Sequence, residues 1–235
     1  MISIVTGTLN RKEFLPGLIE NTVGRSEKLE LVLVDGGSTD GTIEYIKELS
    51  HPQITLIEYG ERSSYPHFMN LGIRNSKYDY IIQWNDDVLL VNDWEEVFNE
   101  IDDHDFYIFN WKYGNVSDVT NNEWIKGDYR DNGWCIWDDY NKNKEVVMNY
   151  GIYHKRIFKE IGMYSNEFKY YYADGDMSRR AFLFGYKMKS CPNIKVCSIN
   201  TDKRAIRTPE SHSVYERYHQ EYKNKFLNEN IEFLK

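Results

Sequence analysis

The sequence predicts an α/β protein with a mostly parallel central sheet and helices on both faces. Three observations lead there. Strand and helix patterns alternate four times in the first hundred residues. The strands are near-continuous apolar runs rather than alternating ones, as expected when both faces of a sheet are covered. Polar residues gather just past the carboxyl ends of those strands, where open α/β sheets bind ligands.

The elements follow in order. Ile2–Thr6 is a short β-branched run and reads as a buried strand. After the polar Asn10–Lys12 loop, Glu13–Val23 carries Phe14, Leu15, Leu18, Ile19 and Val23 at helical spacing. Leu29–Val34 is a second strand, stopped by Asp35-Gly36-Gly37-Ser38. A helix starts at Thr39-Asp40-Gly41-Thr42 and runs to about Leu49, with Thr39 or Asp40 expected as its N-cap. Gln53–Tyr59 reads as a strand, Pro66–Asn75 as a helix, Tyr78–Trp84 as a fourth strand and Trp94–Ile101 as a helix. Beyond that, Asp105–Trp111 and Val146–Tyr153 are strand-like, and Asn115–Asn143 is polar, aromatic and irregular. Helices are expected at Arg156–Ile161, Asp174–Phe184 and Ser211–Phe226. With no repeat, low-complexity tract or linker, residues 1–235 read as one domain, with a regular half (1–104) whose strand ends suit a ligand and an irregular half (105–235).

Composition narrows the function. A net charge of −8 over 235 residues repels phosphate backbones, and no basic stripe offsets it, so nucleic acid is excluded as the main partner. Aromatic residues reach 15%, with 19 Tyr and 6 Trp. Trp134, Trp137 and Tyr140 suit either a binding platform or core packing. The three cysteines, Cys135, Cys191 and Cys197, form neither a disulfide framework nor a zinc pattern. With no apolar run of about 20 residues and no signal-peptide pattern, the expectation is a soluble, cytoplasmic protein, recruited if it acts at a membrane.

Carboxylates carry the candidate chemistry. Asp86 and Asp87 directly follow an apolar strand. Adjacent carboxylates repel unless a cation offsets them, and Mg²⁺ or Mn²⁺ suits such a pair together with phosphate oxygens. Helix capping is the structural alternative. Asp35 can accept hydrogen bonds from a base or ribose, or close its strand in an Asx-turn. Asp174 and Asp176 sit near a helix start, where acidic residues are also favoured by the helix dipole. Arg62 follows the third strand, placed to meet a diphosphate or to stay solvated.

In combination these segments resemble the inverting family-2 glycosyltransferases, from residue 2 to about residue 190. The opening Ile2–Arg11 resembles that family's first strand and loop, and Val34–Thr42 its most recognisable segment. Asn70-Leu71-Gly72-Ile73 resembles the helix after its third strand. Asn85-Asp86-Asp87 is similar to its metal-binding Asp-x-Asp, and Phe168–Lys187 to its Glu-Asp-x-Asp region, with Ala173 in place of the Glu. The first loop is Gly7-Thr8-Leu9-Asn10 where the family has Pro-x-Tyr-Asn.

The resemblance implies a GT-A fold and a nucleoside-diphosphate sugar donor, UDP-linked by preference. The donor would meet Thr6, Thr8, Asn10, Arg11, Asp35, Gly36, Arg62, Asn70 and Asp86. Mn²⁺ or Mg²⁺ would bind Asp87, with His212 completing the site, and Asp174 would be the general base toward a glycan, lipid or protein acceptor. Two other classes compete. A sugar-phosphate nucleotidyltransferase needs a Gly-rich basic loop, of which Arg11-Lys12 is a thin version. A non-catalytic sugar- or nucleotide-binding module would not need Asp87 and Asp174.

Overall fold

The structure, a computed structural model, describes residues 1–114, 148–166, 168 and 173–199. Strands β1 (Ile2–Thr8), β2 (Leu29–Asp35), β3 (Ile54–Glu58) and β4 (Tyr80–Gln83) alternate with helices α1 (Leu15–Asn21), α2 (Thr42–Leu49) and α3 (Tyr65–Asn75). Then come β5 (Val88–Leu90), α4 (Trp94–Glu100), β6 (Phe106–Gly114), β7 (Gly151–His154), α5 (Arg156–Ile161), α6 (Ala173–Leu183) and β8 (Met188–Ile199).

Among the described residues, eight strands join one sheet, in the order β3-β2-β1-β4-β7-β6-β8-β5. The β3-β2-β1-β4 portion is parallel throughout, with Thr8 opposite Asp35 and Val5 opposite Gln83. Antiparallel β7 then separates β4 from β6, and β8 returns parallel to β6.

Alternation along the strands builds two cores. Ile2, Ile4, Leu29, Leu31 and Leu33 face Leu15, Leu18 and Ile19 of α1, Ile46 of α2 and Trp94 and Val97 of α4. Val5 and Val32 face Met69 and Ile73 of α3, Ile157 and Phe158 of α5 and Met177 and Ala181 of α6. Helices therefore cover both faces, as the apolar runs predicted. On the second face α3 packs so closely that a Cβ on Gly72 would lie 2.3 Å from Val5 Cγ1. Among the described residues, no helix is long and apolar enough to cross a membrane.

Three expectations change. The N-cap of α2 is Gly41, in the left-handed region at φ 88°, and not Thr39 or Asp40. The Asp40 carboxylate instead accepts N–H bonds from Thr42 and Lys12, both at 3.0 Å. Strands β5 and β8 were not foreseen. β5 has only three residues, and β8 carries exposed Pro192 and Asn193 beside a register shift between Phe109 and Asn110. The segment before Gly151 that is described, Met148–Tyr150, is not strand. The helix expected at Ser211–Phe226, together with His212, Trp134, Trp137 and Tyr140, lies outside the described residues.

Candidate active site

The parallel register brings the ends of β1, β2 and β4 side by side, and the site is built on the loops that leave them. At β4, the indole N–H of Trp84 donates to Val88 O at 2.9 Å and closes the turn that presents Asp86 and Asp87. The Asp87 carbonyl accepts from Ile199 N at 2.8 Å, which fixes the turn to β8. Helix capping does not explain the pair. The N-cap of α4 is Asp93, whose own N–H is met by Glu96 Oε1 at 3.4 Å.

Asp86 and Asp87 are buried, and the β1–α1 loop faces them. Thr8 Oγ1 donates to Asp86 Oδ2 at 2.9 Å. Arg11 places Nε 3.9 Å from Asp86 Oδ1 and Nη2 3.6 Å from Asp87 Oδ2, with its guanidinium 4.9 Å from the centre of the Phe14 ring. Burial pushes the Asp86 carboxyl up to about 7; Arg11 pulls it down and Asp87 pushes it further up. Among the described residues, two buried carboxylates meet the Arg11 guanidinium, an oxygen-rich donor set that suits a hard divalent cation.

The β2–α2 loop is clamped to the β1–α1 loop. Gly36 N donates to Thr8 O at 2.9 Å. Asn10, at φ 53°, receives Thr39 N on Oδ1 at 2.7 Å and donates its own N–H to Ser38 Oγ at 2.8 Å. Asp35 is fully buried and closes its own loop: Oδ1 accepts from Gly37 N at 2.8 Å and Ser38 N at 2.9 Å, and Oδ2 from Ser38 Oγ. Its geometry is that of the Asx-turn. Gly37 turns at φ 90°, where a Cβ would meet Gly60 O at 2.7 Å. Thr6 is buried, its hydroxyl on Gly7 O at 3.1 Å. Phe68 of α3 lies against both Gly7 and Gly36. An open groove lined by Asn10, Lys12, Glu13, Pro16, Asp40 and Tyr45 borders the clamp, but none of Asp35, Asp86 and Asp87 lines it.

Two further expected ligand contacts differ in setting: Asn70 is buried and Arg62 exposed. The Asn70 amide donates to Tyr164 O at 2.8 Å and accepts Tyr164 N at 2.9 Å, so it fixes the segment after α5. Arg62 is exposed on the β3–α3 loop.

On α6, Asp174 and Asp176 differ. Asp176 accepts Arg180 Nε at 2.9 Å, and the buried Arg180 also donates to Ile161 O and Met163 O, both at 2.8 Å. Asp174 has no cationic partner among the described residues. It is raised above the ordinary carboxylate range by burial, with the Gly175 N–H, at 2.9 Å, opposing. Tyr65, Tyr153 and Tyr164 stand near enough for Asp174 to help hold their phenols protonated, after burial.

Residues that the sequence did not single out tie this helix to the carboxylate turn. Ser178 Oγ donates to Asp174 O at 3.0 Å and accepts Met148 N at 3.2 Å. Gln83, the last residue of β4, donates to Met148 O at 2.6 Å and Asn149 O at 2.8 Å, and accepts the Tyr164 hydroxyl. Asn85 Nδ2 donates to Tyr150 at 3.3 Å. The sequence signal for Gln83 was an amide side chain near the end of an apolar strand, just before two carboxylates.

Asp102, Asp103 and His104 also cluster within ligand distance of one another, but at the start of β6, the opposite end of the sheet. Lys189 pairs with Asp102 and Lys187 with Asp103, so these charges already have partners.

Comparison with known proteins identifies the fold and the family. No curated protein matches the sequence. Among solved structures, the mannosyltransferase PcManGT from Pyrobaculum calidifontis, in complex with GDP-Man and Mn²⁺, superposes at TM-score 0.61 and 17% identity, over 86% of this chain and 58% of that one. S. aureus TarS 1-349 in complex with UDP gives 0.63 and 16%, over 85% and 60%. The same protein in complex with UDP-GlcNAc gives 0.62 and 16%, over 89% and 62%. The chain thus spans about three-fifths of the length of these structures, and what it shares with them is the GT-A fold. The family described as Glycosyl transferase family 2 matches residues 3–164, more than half of the sequence, and the chain belongs to glycosyltransferase family 2.

Proposed function

We propose that the protein transfers a sugar from a nucleoside-diphosphate sugar to an acceptor hydroxyl, with metal assistance and inversion at the anomeric carbon. The observation that carries this reading is the cluster of Thr8, Arg11, Asp86 and Asp87 at the carboxyl ends of adjacent β1 and β4. Residues 1–104 would hold the nucleotide and 105–235 the acceptor, within one domain.

Asp87, with His212 from the C-terminal segment, would hold Mn²⁺ or Mg²⁺, and Asp86 would serve the ribose or phosphate side. The bound cation supplies positive charge where the leaving diphosphate gathers negative charge. Thr8 orients Asp86 by hydrogen bond, and Arg11 balances the carboxylates. The clamped loops, with Thr6, Asn10, Asp35 and Gly36, would form the floor under the nucleoside, with Asp35 toward the base edge. Arg62, exposed at the rim, would reach the diphosphate, and Asn70 would act from beneath through Tyr164. Asp174 would accept the proton of the attacking hydroxyl. Burial raises both carboxyls, but Asp176 is held by Arg180 while Asp174 has no cationic partner among the described residues, which supports Asp174 as the base.

The donor is proposed to be uridine-linked, with dTDP and GDP as the next choices. PcManGT is in complex with GDP-Man and TarS with UDP or UDP-GlcNAc, so both bases fit this fold. The acceptor is a glycan, lipid or protein hydroxyl. A reducing, cytoplasmic setting fits Cys191, a buried free cysteine.

Calorimetry on Asp87→Ala tests the reading. The parent protein should bind UDP more tightly with Mn²⁺ than with EDTA, and the variant should lose that difference. A variant that keeps the full Mn²⁺ effect removes Asp87 from the metal site.

A further inference from the structure

Arg11 is 8% exposed, yet its donors are poorly satisfied. Its contacts to Asp86 and Asp87, at 3.9 and 3.6 Å, are ion pairs without hydrogen-bond distance, and Nη1 is buried with no partner among the described residues. A buried unpaired guanidinium N–H costs free energy, so this side chain is held by charge rather than by fit. Asp86 shares the mismatch: Arg11 is its cationic neighbour among the described residues, and it stands 3.9 Å away. Both defects disappear if a divalent cation joins the carboxylates and a phosphate oxygen joins Arg11.

We propose that Arg11 is a resident counter-ion that competes with the metal for Asp86 and Asp87 and is handed to the donor diphosphate when the metal binds. The proposal rests on the metal-assisted reading above. The guanidinium and an incoming cation would share the same two carboxylates at a few ångströms, so their repulsion opposes metal binding as long as no nucleotide is present. A diphosphate removes that opposition by giving the orphaned N–H an acceptor. The protein would therefore take up metal weakly alone and strongly with nucleotide, an order imposed by one side chain.

The test uses the full chain and two variants. Free Mn²⁺ is followed by electron paramagnetic resonance without nucleotide, and UDP and GDP binding by calorimetry at saturating Mn²⁺. Arg11→Met should bind Mn²⁺ alone about 10–100-fold more tightly, because a unit charge at this separation is removed from a poorly screened site. The same variant should bind the nucleoside diphosphates about 10-fold more weakly. Arg11→Lys keeps the charge and loses the fork, so its Mn²⁺ affinity should stay near the parent's while diphosphate affinity falls. Mn²⁺ affinity that is unchanged or weaker in a folded Arg11→Met protein overturns the proposal. If Arg11→Met does not fold, unchanged diphosphate affinity in Arg11→Lys overturns it. A parent and variants that take up no Mn²⁺ even with UDP or GDP would instead overturn the metal-assisted reading, and this proposal with it.

Discussion

Asp174 and Asp176 lie two positions apart on one helix, about 200° around its axis, and they meet different surroundings. Burial raises the Asp174 pKa, so its ionised form is disfavoured in the folded chain relative to the unfolded one. The sign follows. The protonated group is accommodated below the unfolded pKa, and folding stability declines as pH rises from there through the raised folded value. Asp174→Asn should therefore be at least as stable as the parent at pH 7 and should lose that part of the pH dependence, read as Tm against pH. Transfer should fall by about 10²–10⁴-fold, with donor binding nearly intact. Asp176→Asn should leave the base in place and loosen Arg180 instead. Full activity in Asp174→Asn would end its role as base. At this scale the sequence was legible where chemistry is local: two carboxylates at the end of an apolar strand marked the turn. It was not legible for Asn70, whose two amide contacts reach a residue 94 positions away. For Asp35 it left a base contact and an Asx-turn both open, and the carboxylate closes its own loop.

Among the elements, α3 depends on close approach to β1. Alanine would favour an isolated helix over glycine by up to about 1 kcal/mol. Overpacking a well-filled core costs about 1–3 kcal/mol, and a Cβ 2.3 Å from Val5 Cγ1 forces it. The clash should win, so Gly72→Ala should lower stability in urea denaturation. Val5→Ala introduced alongside should recover part of the loss, because the two sites are in direct contact. Additive losses would show that the contact is not the cause. The apolar periodicity located α1 to α6 within a few residues, because each buries one face. The pattern failed at β5 and β8. A three-residue strand has too little period to read, and Pro192 with Asn193 interrupts the other where β6 shifts register.

At the level of the whole molecule, β7 is the strand that joins the halves. It pairs with β4 on one side and β6 on the other, although nearly seventy residues separate β4 from β7 in the chain. A fragment of residues 1–104 would hold β1 to β4 with one edge of β4 unpaired, and would lack Met148, which receives the Gln83 amide. Open edges of this kind associate. The fragment should be aggregated or poorly soluble by size-exclusion chromatography. A monomeric, nucleotide-binding fragment would instead make 1–104 a domain in its own right. The same topology has a consequence for synthesis. From the moment Gln83 is made, 71 residues must follow before His154 completes the strand that covers β4. At ribosomal rates of about 5–20 residues per second, the nascent chain keeps that edge open for roughly 4–14 s. During this interval a chaperone, or a neighbouring nascent chain on the same message, competes with β7 for it.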